Sequence, residues 1–488
     1  MTDETNLTND SVQRRSGEPF YYRPGIIDGM PVDTLITGGT VVTATDTFDA
    51  DVAIDGEEIV AVGDASSMPD ATETIDAEGL LVMPGMIDPH VHIDDMFSID
   101  THETASAAAA LGGVTSYVDF AWQAWTGELS IFEEGGTLLE GIERKREKAA
   151  NAHVDYAFHG AITREDPAVL SELADAVDAG VSSFKMFTTY EHGLSNGFMH
   201  TVMEEIADID AVGVYHTEDA SLIDALTARF KAEGRGDPTD YLQSRPDYAE
   251  AMAAEDAVRM AQETGAKYYG IHTSCRKSAE VLSQFRDDGS AVRAETCTHY
   301  TTLTDDVFET QGNLPMIAPP IRKQDDVEAM FEHLADGTLD VVSTDHCGYK
   351  RESKEVDNWW DSTFGANALQ VSVPVFHDEA VNERDFSYPF LVRVMSRNPA
   401  RIFGMSDKGT LDPGTDADVI LFDPEETYTI TAEDNASNAD FSIYEGREVT
   451  GRVKKTFVRG ELIADDGEIV SEPGHGEYIN RELPDWDA

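Results

Sequence analysis

Short apolar runs alternate with helical stretches through the middle of the chain, from residue 84 to residue 410. Runs such as TSYVDFA, SSFKMF and LDVVSTD have the pattern of buried strands, whereas PAVLSELADAVDAG and YAEAMAAEDAVRMAQETGA have that of helices. Alternating strands and helices predict a parallel sheet with crossover helices, in the α/β class. A segment of about 320 residues suits a (β/α)8 TIM-type barrel with insertions, although the pattern alone also allows an open, doubly wound sheet.

The two ends of the chain differ from the middle, because they consist of short β-rich runs separated by Gly and Asp. These runs occupy residues 33–83 and 411–470, and each set is too short for a good core of its own. We therefore expect the two ends to pair into one small β-sandwich domain. Residues 1–32 are predicted to be a polar leader, and residues 471–488 a C-terminal tail.

The chain is strongly acidic, with 94 Asp and Glu residues against 35 Lys and Arg residues and a formal net charge of −59. Hydrophobic residues make up 41% of the sequence, which is enough for a large core and argues against disorder. Such a surface repels nucleic-acid phosphates and anionic lipids, so neither is an expected partner. Because the carboxylates are spread along the whole chain, they indicate a halophilic protein in a salty cytoplasm, with an ordinary acidic enzyme as the alternative.

The three cysteines, Cys275, Cys297 and Cys347, include no CxxC pair. An odd number without that spacing does not make a disulfide framework, and it fits a reducing compartment. The pair Arg14 and Arg15 is not followed by the apolar segment of a secretion signal. No apolar run approaches the ~18 residues that a membrane span needs, so we predict a cytoplasmic protein.

The clearest local motif is Asp88-Pro89-His90-Val91-His92, which follows the apolar run LLVMPGMI. Side chains two residues apart in a strand point to the same side, so His90 and His92 could both bind one cation. Two histidines at this spacing also occur by chance, and the pair alone leaves a solvent-facing alternative open.

Four further residues follow or lie within apolar strands. His216 ends GVYH, His272 ends YYGIH, Asp345 ends DVVSTD, and Lys185 lies within SSFKMF. The carboxyl ends of the strands of a parallel barrel converge on one face, where the active sites of that fold are found. Imidazole and carboxylate ligands suit zinc or a similar divalent metal. Each residue has an ordinary structural interpretation by itself, but their shared position predicts one metal centre.

The sequence resembles the cyclic amidohydrolases, the family of dihydropyrimidinase, hydantoinase, allantoinase and dihydroorotase. The resemblance runs from residue 33 to residue 470. Its motifs occur in the family's order: PGMIDPHVH (84–92), GGVTSYVDF (112–120), FKMFTTY (184–190), IHTSC (271–275), ETCTHYTTLT (295–304), APPIR (318–322) and STDHC (343–347).

The resemblance implies a (β/α)8 barrel joined to a β-sandwich made from both chain ends. It also implies two divalent metals, zinc in most members, that are bridged by a carboxylated lysine and a hydroxide. Carried over position by position, one metal would bind His90, His92, Lys185 and Asp345, and the other would bind Lys185, His216 and His272. The apolar setting of Lys185 gives a physical reason, because burial lowers a lysine pKa and the neutral amine can add carbon dioxide to form a carbamate.

The resemblance also implies roles in the reaction. Asp345 would take a proton from the attacking hydroxide and deliver it to the leaving ring nitrogen. Tyr190 would donate a hydrogen bond to the developing oxyanion, with a packed aromatic at the barrel rim as the alternative. Ala318 begins the APPIR segment, which contacts substrate in the family and reads Ser-Pro-Pro-Leu-Arg in hydantoinases.

Other polar residues of these motifs have no expected chemical role. His159 and His299 are predicted to be structural. Cys297 and Cys347 lie near the site, but a nucleophilic thiol needs an activating base that two metals make unnecessary.

The expected activity is hydrolysis of the ring amide bond of a small cyclic ureide or imide, of the dihydropyrimidine or hydantoin type. Allantoinase is the alternative, because some allantoinases have the alanine version of APPIR. Dihydroorotase is disfavoured, because Asp94 and Asp95 stand where that enzyme has an arginine for the substrate carboxylate. A non-catalytic scaffold would lack several ligands, whereas all six are present. Relatives form homotetramers or homodimers, and the sequence does not choose between them.

Overall fold

The structure, a computed structural model, describes residues 13–14, 21–22, 31–95, 97–123 and 136–486. Residues 1–12, 15–20 and 23–30 of the predicted leader and residues 487–488 of the predicted tail lie outside the described residues. Among the described helices, none is both long enough and apolar enough to cross a bilayer.

The strands fall into three sets along the chain. The first set is β1 (Gln13–Arg14), β2 (Tyr21–Tyr22), β3 (Val32–Thr37), β4 (Thr40–Val42), β5 (Thr47–Asp49), β6 (Asp51–Asp55), β7 (Glu58–Gly63), β8 (Ala71–Asp76) and β9 (Leu81–Pro84). The second is β10 (Met86–His92), β11 (Val114–Trp122), β12 (Asp155–Ala161), β13 (Ser183–Phe187), β14 (Val212–His216), β15 (Lys267–Gly270), β16 (Val292–Cys297), β17 (Val341–Ser343) and β18 (His346–Cys347). The third is β19 (Val419–Thr429), β20 (Glu448–Val458), β21 (Glu461–Asp465) and β22 (Glu468–Ile469).

Helices connect the strands of the second set and continue beyond them. The α-helices are α1 (His102–Leu111), α2 (Leu138–Lys148), α3 (Leu173–Asp178), α4 (Asn196–Asp208), α5 (Ala220–Glu233), α6 (Tyr241–Ser244), α7 (Asp247–Thr264), α8 (Arg276–Asp287), α9 (Thr298–Thr302), α10 (Val307–Gln311), α11 (Gln324–Asp336), α12 (Ser372–His377), α13 (Tyr388–Val392) and α14 (Asn398–Ile402). Short 3-10 turns cover Ala65–Ser67, Ala149–Asn151, Pro167–Glu172, Pro238–Asp240, Arg351–Ser353, Trp359–Asp361 and Ala432–Asp434, and π-helical turns cover Asp378–Asn382 and Arg393–Arg397.

The strands of the second set form one sheet in which every pairing is parallel, in the order β17-β16-β15-β14-β13-β12-β11-β10-β18. The segment that contains β17 and β18 is interrupted only at Thr344 and Asp345. Since β17 pairs with β16 and β18 pairs with β10, this one segment joins the two ends of the sheet. The fold is therefore TIM-like α/β, and not the open, doubly wound alternative.

Strands from the two ends of the chain pair with each other. β19 is antiparallel to β9, with Ile420 opposite Met83, in a sheet of order β22-β21-β20-β19-β9-β4-β5. The other end sheet has the order β1-β2-β7-β6-β3-β8. One apolar cluster contains side chains of both sheets, including Val52 of β6 and Leu421 of β19. The two chain ends therefore share a core.

Part of the predicted leader forms two strands of the sheet that contains β7, β6, β3 and β8. β2 is antiparallel to β7, with Tyr21 opposite Val62, and β1 is antiparallel to β2. A strand of two residues is too short to show the alternation of apolar and polar residues that marks a strand, so the sequence of residues 1–32 did not indicate these strands.

Of the two helices predicted from the sequence, one is present as a single α-helix and the other is divided. The candidate over residues 248–266 corresponds to α7, which ends where Gly265 takes a φ of 79°. The candidate over residues 167–180 is divided, because a 3-10 turn precedes α3. Asp166 caps that turn by accepting a hydrogen bond from the backbone N–H of Ala168 at 3.0 Å.

The C-terminal segment lies across the amino-terminal ends of the barrel strands. Tyr478 forms a parallel bridge with Tyr156 at the start of β12. Arg481, which is buried, donates to the Ser183 hydroxyl at 2.9 Å, at the start of β13. Much of the predicted tail therefore covers the end of the barrel opposite to the metal-ligand candidates.

Candidate metal centre and active site

A cavity of about 300 Å³ opens at the carboxyl ends of the barrel strands. All six predicted ligands line it: His90, His92, Lys185, His216, His272 and Asp345. The fold therefore brings together residues that are up to 255 positions apart in the sequence (345 − 90).

His90, His92 and Asp345 form the first ligand cluster, with donor atoms that all lie within 4.8 Å of one another. Oδ1 of Asp345 lies 3.1 Å from Nε2 of His90 and 3.4 Å from Nε2 of His92. The histidines alternate along β10, and Asp345 reaches them from the break between β17 and β18, where its φ is 49°. The donor set suits a divalent cation such as zinc.

The two histidines of this cluster differ in their electrostatics, because burial lowers the pKa of His92 whereas the pKa of His90 is raised. Burial by itself would lower the pKa of His90, but the carboxylates of Asp345 and Glu295 outweigh burial and raise that pKa to about 9. Burial would raise the pKa of Asp345, but His90 and His92 hold it well below its usual range. Nε2 of His90 is buried, and although the Asp345 carboxylate lies 3.1 Å away, the two groups do not have the geometry of a hydrogen bond. A cation at this point would satisfy that nitrogen.

His216 and His272 form the second ligand cluster. Nδ1 of His216 and Nε2 of His272 face each other at 2.8 Å. Burial lowers the pKa of both rings well below the usual value, with nearby charged groups including Lys185 adding to the effect, so both are neutral and suited to metal binding.

Lys185 is fully enclosed on β13, next to both clusters. Burial lowers the pKa of its amine to about 7, although Asp345 and Glu295 act in the opposite direction. Its Nζ lies 5.2 Å from the ring centre of Phe120 and 4.7 Å from that of Phe187. A substantial fraction of this amine is therefore neutral near pH 7, which is the form that reacts with carbon dioxide.

Glu295 is a supporting residue that the sequence interpretation missed. Its Oε1 lies 2.5 Å from Nδ1 of His90 and accepts a hydrogen bond from the backbone N–H of His272 at 3.2 Å. The Tyr269 hydroxyl donates to its other oxygen at 2.8 Å. A carboxylate on one imidazole nitrogen fixes the tautomer that leaves the other nitrogen free for a metal. β16 reads Val-Arg-Ala-Glu-Thr-Cys, so its sequence does not mark Glu295 as buried, and the structure supplies that information.

Glu218 gives His216 the same support, and it was also missed. Its Oε2 lies 3.0 Å from Nε2 of His216, so Nδ1 of that ring is left to face the cavity. Arg245 donates to the same carboxylate oxygen, and both side chains are buried.

Asp88 joins the two segments that supply the first cluster. It accepts hydrogen bonds from the Thr344 hydroxyl at 2.5 Å and from the backbone N–H of His90 at 3.1 Å. It therefore fixes the start of the histidine motif relative to the segment that holds Asp345.

Tyr190 and Ala318, the two residues expected to contact substrate, both line the cavity. The Tyr190 backbone is in the left-handed region, with a φ of 68°, and its ring centre lies 5.0 Å from that of His216. Tyr190 exposes 41% of its surface, yet desolvation of its hydroxyl raises the pKa, which Arg245 partly opposes. The hydroxyl therefore remains protonated near neutral pH.

The remaining wall of the cavity is largely aromatic. It includes Phe97, Trp122, Phe187, Tyr349 and Phe364. Among the described residues that line the cavity, Lys185 is the only Lys or Arg. Asp95, which was compared with the arginine of dihydroorotase, accepts a hydrogen bond from Nε1 of Trp122 at 3.1 Å. This wall suits an apolar or neutral substituent.

The other polar residues of the motifs lie outside the two ligand clusters. His159 forms contacts of 2.6 Å with the Ser183 hydroxyl and 2.9 Å with the Pro89 carbonyl. His299 is buried, and burial lowers its pKa to about 4. Cys347 lines the cavity, but burial raises the pKa of its thiol well above the usual value, which does not favour a nucleophile.

Comparisons with known proteins agree with this geometry. A family model described as "Amidohydrolase family" matches residues 81–463. The D-hydantoinase of Streptomyces coelicolor is 34% identical over 467 residues, which cover 92% of this chain and 98% of that protein. The allantoinase of Salmonella choleraesuis is 32% identical over 463 residues, with 92% and 99% covered. The structure of dihydropyrimidinase from Brevibacillus agri has a TM-score of 0.88 at 32% identity and covers 93% of this chain and 99% of that one.

Proposed function

This chain belongs to the amidohydrolase family, and we propose that it hydrolyses the ring amide bond of a cyclic ureide or imide of the hydantoin or dihydropyrimidine type. The observation that carries the proposal is the convergence of four histidines, a lysine and an aspartate on one cavity of about 300 Å³. That volume lies at the lower end of the range for small-molecule sites, which fits a single small ring with its substituent.

The donor set fits two divalent cations, most simply zinc, one at each ligand cluster, with Lys185 between them. When bound, two such cations lower the pKa of a water molecule and polarise a carbonyl group. For Lys185 to bridge them, its neutral amine would add to carbon dioxide, so that an N–C bond forms and one proton is released. The lowered pKa of Lys185 supports this carbamate.

Asp345 and Tyr190 would act on the reacting atoms. The attacking hydroxide would form when a water molecule releases one proton to solvent, and Asp345 would accept the proton of that hydroxide and donate it to the ring nitrogen as the C–N bond breaks. The product then carries a carboxylate and a neutral nitrogen. Tyr190 would donate a hydrogen bond to the carbonyl oxygen as negative charge develops there, and its position on the cavity wall supports that role.

Allantoin hydrolysis is the second candidate. The allantoinase relative and Ala318 on the cavity wall favour it. The aromatic wall favours a hydantoin or dihydropyrimidine with an apolar substituent, because the polar ureido group of allantoin needs hydrogen-bond partners when it is buried.

Several further properties are part of the proposal. The net charge of −59 supports function at high salt in a cytoplasm, and the resemblance to the cyclic amidohydrolases implies a homodimer or homotetramer. The shared core of the two end sheets supports a composite β-sandwich of residues 33–83 and 411–470 beside a barrel of residues 84–410.

The test is a hydrolysis screen on the purified protein with hydantoin, dihydrouracil, allantoin and dihydroorotate. We expect ring opening of the first two, loss of activity with a chelator, and recovery on addition of zinc. Protein that holds two metals per chain but opens none of the four rings would contradict the proposal.

A further inference from the structure

Arg245 is a buried cation behind the cavity wall, and its position connects a supporting residue of the metal centre to Tyr190. Its guanidinium carbon lies 5.5 Å from the ring centre of Tyr190 and 5.6 Å from that of Phe364, and both rings line the cavity. Arg245 is only 8% exposed, and it is not itself part of the lining.

Arg245 has two anchors, one at its guanidinium and one at its backbone carbonyl. Nη1 donates to Oε2 of Glu218, the same oxygen that lies 3.0 Å from Nε2 of His216. The backbone carbonyl of Arg245 accepts a hydrogen bond from Arg322 at 2.6 Å, and Arg322 is itself held by Glu250 at 3.0 Å. Arg245 therefore has little freedom to move.

The Arg245 guanidinium lies beside the Tyr190 side chain, and its charge partly opposes the rise that burial causes in the pKa of the Tyr190 hydroxyl. A guanidinium has donors and no acceptor, so in a hydrogen bond between the two groups the tyrosine oxygen must be the acceptor. The hydroxyl proton is then not used by Arg245, and it is available to a group in the cavity. A positive charge at the oxygen also makes the O–H a stronger donor.

We propose that Arg245 is a positioning residue that orients the Tyr190 hydroxyl so that its proton points at the substrate carbonyl oxygen, with Glu218 as its anchor. The inference rests on the proposed function, because it gives Tyr190 an oxyanion to stabilise. Arginine suits the position better than lysine, because its planar group presents separate N–H donors to the carboxylate and to the phenol.

The experiment is a double-mutant cycle with Tyr190→Phe, Arg245→Gln and the double variant, each assayed for kcat, KM and metal content. Arg286→Gln is the matched control, because it removes an arginine that pairs with Asp340 at 3.0 Å, away from the cavity lining. The cycle is repeated with Arg245→Lys, which keeps a positive charge beside Glu218, so the test stands even when the Gln variant does not fold.

We expect Arg245→Gln to lower kcat by roughly 10²-fold, the scale of a catalytic group displaced by about 1 Å, with both metals retained and KM changed much less. Arg245→Lys should recover part of this loss, and Arg286→Gln should keep the wild-type kcat. In the Tyr190→Phe background, the Arg245 substitution should cause little further loss. Losses that multiply would overturn the proposal, as would an Arg245→Gln enzyme with wild-type kcat.

A crystal structure of the Arg245 variants provides a test that does not depend on activity. We expect the Tyr190 hydroxyl to move or to take several positions, while His216 stays in place. A Tyr190 hydroxyl in its original position would contradict the inference. If the wild-type protein opens no cyclic amide, the proposed function fails, and this structural comparison still decides whether Arg245 positions Tyr190.

Discussion

Lys185 is the residue that distinguishes a two-metal centre from a simpler one. We expect Lys185→Ala to lose activity and at least one metal, because the variant removes the lysine that lines the same cavity as both ligand clusters and would bridge the two metals. Short carboxylic acids added to this variant should restore part of the activity by taking the place of a carbamate. Metal analysis beside the kinetic assay checks the prediction, and full metal occupancy with wild-type turnover would contradict the binuclear proposal.

Asp345 is expected to serve as a ligand and as a proton carrier. Asp345→Asn keeps the shape of the side chain but cannot accept a proton, so we expect kcat to fall by ~10²-fold or more, the scale of general acid–base catalysis. The measurement is kcat at saturating substrate, with metal content determined on the same sample. An Asn variant within a few-fold of wild type would remove the proton-transfer role.

The shared position of the six candidate ligands could be predicted from the sequence because each lies in or directly after an apolar strand, and a parallel barrel collects strand ends on one face. Glu295, Glu218 and Arg245 could not be placed in the same way. The imidazole partner of Glu295 comes from another strand, and which imidazole it meets depends on strand order and register, which the pattern of one strand does not contain. Glu218 contacts His216 only two residues before it, but that spacing alone does not show that the two side chains meet.

Individual elements were predictable where the pattern is long and regular, as in the barrel strands and α7. The interruption of the last strand at Thr344 and Asp345 was not predicted, although it is the feature that turns Asp345 towards His90. A positive φ at a non-glycine residue depends on the surrounding structure, here including the Thr344–Asp88 hydrogen bond at 2.5 Å. The predicted C-terminal tail has no pattern that shows its contacts, and the structure places Tyr478 beside Tyr156 and Arg481 beside Ser183 of the barrel.

The C-terminal segment gives a prediction at this scale. Ile479 and Trp486 pack against the apolar cluster that contains Phe403 and Met405, and Nε1 of Trp486 donates to the Ile402 carbonyl at 3.1 Å. A chain that ends at residue 474 should unfold at a temperature ~5 °C lower or more, since each kcal/mol shifts Tm by a few degrees. Its metal content should be unchanged, because the ligands lie at the other end of the barrel. Calorimetry and metal analysis check this, and an unchanged Tm would show that the segment adds no stability.

The net charge of the whole molecule limits the conditions in which it can fold and associate. With 94 acidic residues against 35 basic ones, the folded chain repels itself, and any subunit interface must bring acidic surfaces together. Raising the salt concentration from about 0.1 M to about 1 M shortens the screening length from ~10 Å to ~3 Å, which weakens this repulsion. We expect the free energy of unfolding at pH 7 to rise with potassium chloride between ~0.1 M and ~2 M.

A rise with salt does not by itself identify charge as the cause, because some salts also strengthen apolar burial. Acidification towards the isoelectric point of 4.3 provides the second measurement, since it removes surface charge without added salt. The titration of buried carboxylates also changes the free energy of unfolding with pH, and Asp100 and Asp119 do so in opposite directions. The pKa of Asp100 is lowered to about 2, where burial is outweighed by His346 and Ser437, so its stabilisation is lost only as pH falls from about 4 towards 2. Burial raises the pKa of Asp119 to about 7, so its protonation favours the folded state as pH falls, at any salt concentration.

The two effects are separated by measuring the free energy of unfolding against pH at low and at high salt, and comparing the two profiles. If surface repulsion dominates, lowering the pH from 7 to about 5 should stabilise the protein strongly in ~0.1 M potassium chloride and much less in ~2 M, because salt already screens the charge that acid removes. Buried groups such as Asp119 would instead shift both profiles alike. Chemical unfolding at the two salt concentrations across this pH range, with activity measured in parallel, checks the prediction. Equal stability at both salt concentrations at pH 7 would show that the acidic surface is incidental, and the proposal of adaptation to high salt would be wrong.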